Sequence, residues 1–428
     1  MATYNLGYGH ENITISIPQE NVAFYHKPIL PDYKIDCLQG LKKALAHPIG
    51  KDPQKMFYKK RVAIMLADYS RDEPTKEIVT AIAPYLLEAS KVKYIICTGT
   101  HDPSMNKNLV NEILSCINNG SAVEGDIIIH DCRKAEFDYA GITSFNNKIF
   151  YNKIINDIDI FWCVSDLKPH YFAGYSNPLK SFVPGIAAFG TIEKNHSLSL
   201  DDNATFGRHP LHYDLKRRKQ PLAEDMLEAM HMIVRGRPIY VLLMIYIQGQ
   251  LYWSAAGDLE SALPKGLEAV DKLLTFTVDP VEKLIIAAGM YPQDESLYSA
   301  QRALELTKYA IFNGGEILFL ANCENGIGPE KSIDMFYNKL TSDIPDILKD
   351  IEKDYKLYAH KSYKFAKMIQ SVNKIYVYSS LPNELISKIH LTPAKDYQVI
   401  IDGWVNEKKK IGIFDEAGKL AILSTERK

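Results

Sequence analysis

Short apolar runs rich in β-branched residues alternate with longer amphipathic segments through most of the 428 residues. This alternation is typical of α/β proteins, in which helices connect parallel strands. One helical segment, residues 76–90, places Ile78, Ile82 and Leu86 on one face, as expected of a helix that covers a sheet. The predicted strands are residues 62–66, 94–97, 127–129, 158–164, 284–288, 317–321, 375–378 and 398–401.

Two further segments predict antiparallel hairpins beside this parallel core. Residues 239–253 reverse direction around Gln248-Gly249-Gln250, and residues 411–423 reverse around residues 416–418. A glycine in a short polar loop between two apolar runs is a hairpin signal. The predicted fold class is therefore α/β, with mainly parallel sheets plus antiparallel hairpins.

A break rich in Thr, Asp and Pro near residue 276 divides the chain into two predicted domains. The first covers residues 1–276 and the second, also α/β, covers residues 277–407. The C-terminal hairpin, residues 408–428, is expected to pack back on the first domain. We expect the active site in the interdomain cleft. Ligands of open α/β sheets bind beyond the carboxyl ends of the strands, so the loops directly after the strands are the candidates.

Composition excludes several classes of protein. Fifty Lys and Arg balance 52 Asp and Glu to a formal charge of −2, so no global field would attract nucleic acid or a membrane surface. The six cysteines include no CxxC pair and the first residues lack the pattern of a secretory leader, so we expect a cytoplasmic protein without a disulfide framework. The most apolar stretch, residues 239–247, is about half of the ~20 residues that a membrane helix requires.

The loop after the first predicted strand, residues 68–75, contains an arginine beside the start of a helix. A guanidinium next to free helical N–H groups favours a site for a carboxylate or phosphate, with Arg71 as its cation. The alternative is a simple helix entry in which Asp72 or Thr75 caps the helix.

Two further loops contain histidines. His101 follows the strand at residues 94–97, and histidine is the side chain best suited to proton transfer near neutral pH. A lone loop histidine is nevertheless more often structural. His130 follows the strand at residues 127–129, where a turn stabilised by Asp131 is the more common reading.

The fourth loop, residues 165–197, is long, aromatic and apolar, which favours a packed functional segment over disorder. It contains His170, Lys180 and His196. Among small and apolar neighbours a lysine amine loses charge and becomes a nucleophile or covalent tether, although a phosphate-binding or surface lysine is the alternative. No HxH, HExxH or Cys/His cluster is present, so the sequence alone predicts lysine and histidine chemistry without a substrate.

Several motifs with specific spacing run through these loops and beyond them. They are Asp68-x-Ser70-Arg71-x-x-Pro74, Thr98-Gly99-Thr100-His101, Pro169-His170-x-x-Ala173-Gly174-x-Ser176-x-x-x-Lys180-x-x-x-Pro184-Gly185, Asn195-His196-Ser197, Gly257-Asp258 and Tyr291-Pro292-x-Asp294-x-x-Leu297-Tyr298. This set resembles the nickel-pincer lactate racemase family over nearly the whole chain.

The resemblance implies a cofactor and its ligands. The family binds a nickel-pincer nucleotide, a pyridinium thioamide/thiocarboxylate mononucleotide made by separate biosynthesis proteins. Lys180 would be its covalent attachment point, and His196 would be the protein ligand of Ni(II). The other cofactor-binding residues implied are Asp68, Ser70, Ser176, Pro184 and Gly185. On this reading the first domain binds the cofactor and carries the catalytic residues, and the second closes over the substrate.

The resemblance also implies the reaction. His101 and His170 would form an acid/base pair on opposite faces of a 2-hydroxy acid, while hydride leaves C2 and returns to the other face. Arg71 would hold the substrate carboxylate. The implied enzyme is an isomerase, a 2-hydroxy acid racemase or epimerase, and a homo-oligomer is compatible with the sequence.

The chain departs from the family pattern in two places. Asn177-Pro178 replaces two glycines before the lysine, which alters the approach of the cofactor because proline has no N–H. After Tyr298, the glutamine and lysine of lactate-type enzymes are replaced by Ser299 and Arg302. These three residues are expected to contact substrate, and the replacements favour one larger or more polar than lactate, such as a hydroxy diacid or sugar acid.

Two other readings of the same residues remain open at this stage. One is a nucleotide-binding transferase or oxidoreductase that uses Lys180 for phosphate and His101 as a base. The other is a catalytically altered binding paralogue that retains only the cavity, given the changed Asn177-Pro178 segment.

Overall fold

The computed structural model describes residues 1–53 and 56–426. The chain divides into two compact units. The central unit comprises Leu30–Lys168 and Phe172–Val270, and the terminal unit comprises Met1–Ile29, Pro169–Tyr171 and the residues from Asp271 onward.

Strands and helices alternate along most of the described chain. The strands are β1 (Ala2–Gly9), β2 (Glu11–Ile17), β3 (Val22–His26), β4 (Arg61–Leu66), β5 (Lys91–Ile96), β6 (Asp126–Ile129), β7 (Phe137–Ile142), β8 (Lys148–Asn152), β9 (Ile160–Asp166), β10 (Pro169–His170), β11 (Gly174–Tyr175), β12 (Ile239–Ile247), β13 (Gln250–Asp258), β14 (Thr275–Val278), β15 (Val281–Ala287), β16 (Gly289–Met290), β17 (Ile311–Leu320), β18 (Lys374–Tyr378), β19 (Thr392–Pro393), β20 (Ile411–Phe414) and β21 (Ala421–Ser424). The α-helices are α1 (Cys37–Ala46), α2 (Thr75–Ile82), α3 (Lys107–Asn118), α4 (Phe189–Ser197), α5 (Pro221–Val234), α6 (Leu259–Leu274), α7 (Leu297–Ala300), α8 (Arg302–Thr307), α9 (Glu330–Ile333), α10 (Ile344–Lys353), α11 (Ala359–Ser371), α12 (Asn383–Ser387) and α13 (Tyr397–Asn406).

A six-stranded sheet in the order β13-β12-β9-β4-β5-β6 organises the central unit. All neighbouring strands are parallel except β12 and β13, which form the predicted antiparallel hairpin. Strands β4 and β9 are buried almost throughout, and Trp162 of β9 stacks on Phe57 with ring centroids 4.5 Å apart. Both faces of the sheet are covered, and this explains why its strands are continuous apolar runs in the sequence.

A second six-stranded sheet, β19-β18-β17-β15-β20-β3, is parallel throughout and forms the core of the terminal unit. The first 29 residues belong to this unit because β3 pairs with β20 and β1 pairs with β16. The sequence analysis placed residues 1–29 in the first domain. Pairing between strands this far apart in the chain leaves no local pattern from which it could be predicted.

Two predicted elements are wrong. The segments of the predicted hairpin at residues 411–423 do not pair with each other, because β20 lies between β15 and β3 and β21 pairs with β14. The predicted strand at residues 398–401 lies inside α13. There Asp396 accepts hydrogen bonds from the N–H groups of Gln398 and Val399 and so starts a helix, and a short apolar run does not distinguish the two structures.

The predicted fold class is confirmed, since both main sheets are mainly parallel and the antiparallel pairs β1-β2, β7-β8 and β12-β13 accompany them. The six cysteines are free thiols. Among the helices of the described ranges, none combines the length and the hydropathy needed to cross a membrane.

Candidate active site

Asp68, Ser70 and His101 form a hydrogen-bonded group beyond the carboxyl ends of β4 and β5. These strands are in register, with Leu66 opposite Ile96, so the loops that follow them are neighbours. Nδ1 of His101 lies 2.6 Å from Oδ2 of Asp68, and Ser70 Oγ donates to Asp68 Oδ1 at 2.7 Å.

The charge state of Asp68 determines what His101 can do. Burial opposes ionisation of Asp68, but the hydrogen bonds from His101 and Ser70 outweigh it and hold the pKa of Asp68 below its usual value. An ionised carboxylate only accepts hydrogen bonds, so Nδ1 of His101 carries a proton. The neutral ring therefore presents the lone pair of Nε2, the atom that can act as a base.

The loop that contains Arg71 does not provide a side-chain cap for the helix that follows it. Helix α2 begins after Pro74 without a side-chain cap, so the alternative in which Asp72 or Thr75 caps the helix is not observed. The side chain of Arg71 is exposed, and no ion pair or hydrogen bond joins its guanidinium to another residue of the described ranges. Its backbone N–H donates to Asp68 O at 3.0 Å and closes the turn.

The loop of His101 packs directly on the loop that contains Pro184 and Gly185. The N–H of Gly99 donates to Gly185 O at 3.2 Å, and Gly99 has a φ of +55°. A Cβ on Gly185 would lie 2.2 Å from Ser181 O, so only glycine fits there. These contacts bring together two loops separated by more than 80 residues in the sequence.

Lys180 lies in a short 3-10 turn, Pro178–Ser181, whose geometry explains Asn177-Pro178. The side chain of Asn177 accepts from the N–H of Leu179 at 2.9 Å and donates to Tyr175 O. Pro178 occupies the first position of the turn, where its fixed φ is favourable. Asn177 and Pro178 therefore stabilise the turn that contains Lys180.

The amine of Lys180 is partly buried beside other cations. Burial, and then the charges of Arg71 and Lys168, hold its pKa well below the usual value. A lysine with a depressed pKa is neutral for more of the time near pH 7, and a neutral amine is a nucleophile.

His196 lies on α4 with its ring close to Lys180. Burial and the positive charge of Lys180 lower the pKa of His196 to about 4, so the ring is neutral. Its Nδ1 is 3.0 Å from Ile192 O, one turn earlier in the helix. Because a carbonyl only accepts, Nδ1 carries the proton and Nε2 has the lone pair.

A buried carboxylate fixes the helix that carries His196. Asp225 of α5 accepts from Nδ2 of Asn195 at 2.7 Å, from Nδ2 of Asn147 at 2.8 Å and from Oγ1 of Thr143 at 2.5 Å. These are three neutral donors, and burial raises the pKa of Asp225. The sequence analysis missed Asp225, because its partners lie on two other segments, the turn at residues 143–147 and α4.

A pair of acidic groups near the same loops was also missed. The N–H of Asp166 donates to Oε1 of Glu73 at 3.1 Å, and Lys168 forms an ion pair with Asp166 at 2.5 Å. Burial and the charge of Asp166 raise the pKa of Glu73 to about 7. The signal was available in principle, because Glu73 lies in the loop after β4 and Asp166 ends β9, the strand that pairs with β4.

His130, in the loop after β6, makes contacts typical of a structural histidine. His130 is fully buried, with Nε2 3.0 Å from Ala187 O and Nδ1 3.2 Å from Nδ2 of Asn152. Asp131 accepts from the N–H groups of two following residues, as the turn reading predicted.

Other residues predicted for the site lie in the terminal unit. His170 stacks on Tyr171 with ring centroids 5.3 Å apart. Ser299 donates to Glu295 at 3.2 Å, and Tyr298 is covered by the ammonium of Lys361. The central unit brings together Asp68, Ser70, Arg71, His101, Lys180, Pro184, Gly185 and His196, and also contains Ser176, whose N–H donates to Lys168 O.

The protein itself offers no closed metal site within the described ranges, where no group of three His, Cys, Asp or Glu side chains is placed to hold an ion. A metal at this position would need most of its ligands from elsewhere. His196 supplies a single neutral imidazole.

Comparison with known proteins identifies the family. Residues 8–207 match the model of the lactate racemase N-terminal domain, and residues 277–411 match the lactate racemase C-terminal domain. The chain is 25% identical to a lactate racemase of Thermoanaerobacterium thermosaccharolyticum over 99% of both chains. It is also 25% identical to a lactate racemase of Lactiplantibacillus plantarum, over 92% of this chain and 93% of that one.

Solved structures agree on the fold. The structure of the lactate racemase apoprotein from Thermoanaerobacterium thermosaccharolyticum superposes with a TM-score of 0.84 at 23% identity, covering 98% of this chain and 100% of that one. A crystal structure of a Thermotoga maritima protein gives 0.61 at 16% identity, over 91% and 97% of the two chains. This chain belongs to the lactate racemase family and is an isomerase of the racemase class.

Proposed function

We propose that this chain is a 2-hydroxy acid racemase or epimerase that carries a nickel-pincer nucleotide attached to Lys180. The observation that carries the proposal is the pairing of two neutral nitrogen groups in the central unit. The amine of Lys180 has a strongly depressed pKa, and the nearby ring of His196 has a pKa of about 4. One is suited to a covalent bond and the other to a soft metal.

The residues present fit such a cofactor. Lys180 would form the covalent link, and Nε2 of His196 would bind Ni(II), with its tautomer fixed by Ile192 O. Ser176, Pro184 and Gly185 would line the nucleotide. Asp68 is ionised, so it suits a ribose hydroxyl and not a phosphate, and it also orients His101 together with Ser70. When bound, the cofactor would supply an acceptor for the C2 hydride that can return it to either face.

His101 and His170 of the chain would transfer the protons. Nε2 of His101 would take the proton of the substrate hydroxyl, while the charge of Asp68 stabilises the imidazolium that results. His170 would serve the opposite enantiomer. Arg71, whose guanidinium forms no hydrogen bond or ion pair in the described ranges, would hold the substrate carboxylate by two parallel hydrogen bonds.

The substrate is proposed to be larger or more polar than lactate. Tyr298, Ser299 and Arg302 would contact the part of the substrate beyond C2. Ser299 is short, and Arg302 provides a charged fork, which suits an additional polar group.

The depressed pKa of Lys180 also argues against the alternative transferase reading. A lysine that binds phosphate acts through its charge, and burial beside Arg71 and Lys168 disfavours that charge. The six free thiols agree with a reducing compartment, so we place the enzyme in the cytoplasm, where the proteins that build the cofactor would load it.

The test is co-expression with the cofactor-building proteins. We expect bound nickel, a mass increase on the peptide that contains Lys180 and loss of optical rotation in a 2-hydroxy acid. Lys180→Arg keeps a long side chain that ends in nitrogen but cannot form the link, so both nickel and added mass should disappear. Lys219→Arg, at an exposed position of the central unit, is the matched control. An unmodified Lys180 under loading conditions would refute the proposal.

A further inference from the structure

The hydroxyl proton of Ser299, on α7, is committed to a hydrogen bond with Glu295. Oγ of Ser299 donates to Oε1 of Glu295 at 3.2 Å, and a carboxylate oxygen only accepts. Oγ of Ser296 lies 3.3 Å from Oγ of Ser299 and must therefore be the donor in that contact. One lone pair of the Ser299 hydroxyl remains, so Ser299 can accept a hydrogen bond from a ligand but cannot donate one.

Glu295 also offers acceptors. Apart from the contact with Ser299, its side chain forms no hydrogen bond and no ion pair in residues 1–53 and 56–426. Oε2 of Glu295 is therefore available to a ligand, and no cation of the described chain pairs with the carboxylate. Glu295 and Ser299 are both partly exposed, whereas Ser296 is 3% exposed. The two partly exposed side chains together present only hydrogen-bond acceptors.

The backbone on both sides of Glu295 is fixed within the terminal unit. Asp294 is fully buried, and its Oδ2 accepts from the N–H groups of Gly9 at 2.7 Å and Asn322 at 3.0 Å. On the other side, the hydroxyl of Ser296 accepts from a backbone N–H of α7 at 3.3 Å and caps that helix. The positions of the carboxylate and the hydroxyl are therefore well defined.

We propose that Glu295 and Ser299 form a subsite for a hydroxyl group, so that the substrate is a 2-hydroxy acid with a further hydroxyl beyond C2. This inference rests on the proposed function, in which Ser299 contacts that part of the substrate, and it narrows the substrate class. A hydroxyl can donate to the remaining lone pair of Ser299 or to Oε2 of Glu295. A methyl group would leave these acceptors without a donor, and a second carboxylate would place a negative charge against Glu295.

An ammonium group on the substrate would also be a donor, but the surroundings of Ser299 favour a hydroxyl. The amino group of Lys361 donates to Tyr298 O at 2.7 Å, and this carbonyl belongs to the peptide that joins Tyr298 to Ser299. A substrate amine would therefore add a second cationic group near the first, whereas a hydroxyl adds no charge.

The test compares ligands that share a four-carbon 2-hydroxy acid and differ at C4. They are 2-hydroxybutanoate with a methyl group, 2,4-dihydroxybutanoate with a hydroxymethyl group, malate with a carboxylate and 4-amino-2-hydroxybutanoate with an aminomethyl group. Calorimetric titration of the full chain, before and after cofactor loading, should show that 2,4-dihydroxybutanoate binds about 5- to 20-fold more tightly than 2-hydroxybutanoate and at least about tenfold more tightly than malate. The amine should also bind more weakly than the alcohol. This comparison uses the wild-type protein, so it does not depend on whether a variant folds.

Two variants then assign the preference to these side chains. Glu295→Gln can still accept from Ser299 but has no charge and gains a donor, so the preference for 2,4-dihydroxybutanoate over malate should fall by about tenfold. Ser299→Ala removes one acceptor, so the preference over 2-hydroxybutanoate should fall to less than about twofold. Glu384→Gln, at an exposed position of α12, is the matched control and should leave both preferences unchanged.

The inference would be overturned if the wild-type chain bound 2,4-dihydroxybutanoate no more tightly than any one of the other three ligands. A preference over malate that Glu295→Gln leaves intact would also overturn it. Failure of the proposed function looks different, because the loaded enzyme would then invert none of these acids at C2, whatever their affinities.

Discussion

Nδ1 of His101 lies 2.6 Å from Oδ2 of Asp68, the buried carboxylate whose other oxygen accepts from Ser70. The contact selects the tautomer of His101 that has its lone pair on Nε2. It also places a negative charge beside a ring that becomes positive when it takes a proton. Asp68 therefore has a positioning role in proton transfer in addition to any contact with the cofactor.

Asp68→Asn should reduce kcat by about 100-fold with little change in KM, because the amide neither stabilises the imidazolium nor selects the tautomer. Steady-state racemisation by the loaded enzyme measures both constants. Asp72→Asn, exposed in the same loop, is the control and should retain activity. Retention of more than half of kcat in Asp68→Asn would show that His101 does not depend on this contact.

Gly174 is needed for a close approach between two segments of the central unit. Its φ is +78°, and a Cβ there would lie 1.7 Å from Arg208 O. Gly174→Ala should lower the free energy of unfolding by about 2 to 4 kcal/mol, because the backbone must shift and the conformation is strained. Gly190→Ala, where a Cβ would contact nothing within 4 Å, is the control and should be neutral or slightly stabilising. Denaturant titration of the two variants gives the comparison.

The sequence predicted the central sheet well because its strands carry their own signal. Strands β4 and β5 are continuous apolar runs, and the residues that follow them could be assigned to loops at one sheet edge. The hydrogen bond between His101 and Asp68 could not be predicted from these runs, because it depends on the register that aligns the two strands. A sequence pattern predicts a strand but does not state which residue of its neighbour it faces.

Other features of the structure could not be predicted for the same physical reason. The grouping of residues 1–29 with the terminal unit and the pairing of β20 depend on contacts hundreds of residues apart. The buried role of Asp225 depends on three donors from two segments distant in sequence, which no local motif reports. The contact between Lys361 of α11 and Tyr298 of α7 arises in the same way, because the two residues are 63 positions apart in the sequence.

Asp225→Ala should lower the free energy of unfolding by about 3 kcal/mol or more. The substitution removes the acceptor of three buried donors, and each buried donor left without a partner costs about 1 to 3 kcal/mol. Glu228→Ala is a matched control on the same helix, because its carboxylate also accepts two hydrogen bonds but is partly exposed to solvent. Its cost should stay below about 1 kcal/mol, and an equal cost for both variants would contradict the role given to Asp225.

Asp225→Ala should also weaken nickel retention, because Asn195 is one of the three donors and precedes His196 on α4. Loss of second-sphere support typically reduces metal affinity by about 10- to 100-fold. Nickel content after dialysis against a chelator, measured at a temperature where the variant remains folded, separates this effect from loss of stability.

Acid should destabilise the fold between about pH 6.5 and pH 4 through its buried histidines. Burial lowers the pKa of His130 to about 4, so below the ordinary value of about 6.5 the unfolded chain binds a proton that the folded chain refuses. The unfolded state then has more bound protons, and stability falls as the pH falls. Protonation would also place a donor on Nδ1, facing the amide of Asn152 that donates to it.

His130→Gln removes this titration, so its free energy of unfolding should fall less steeply than that of the wild type between pH 7 and pH 4.5. The expected difference is about 2 to 3 kcal/mol over that range, because a shift of one pKa unit corresponds to about 1.4 kcal/mol. His231→Gln, exposed on α5, should keep the wild-type slope. Urea titrations at several pH values measure the slopes. Parallel curves for His130→Gln and the wild type would mean that protonation of His130 does not drive the loss of stability.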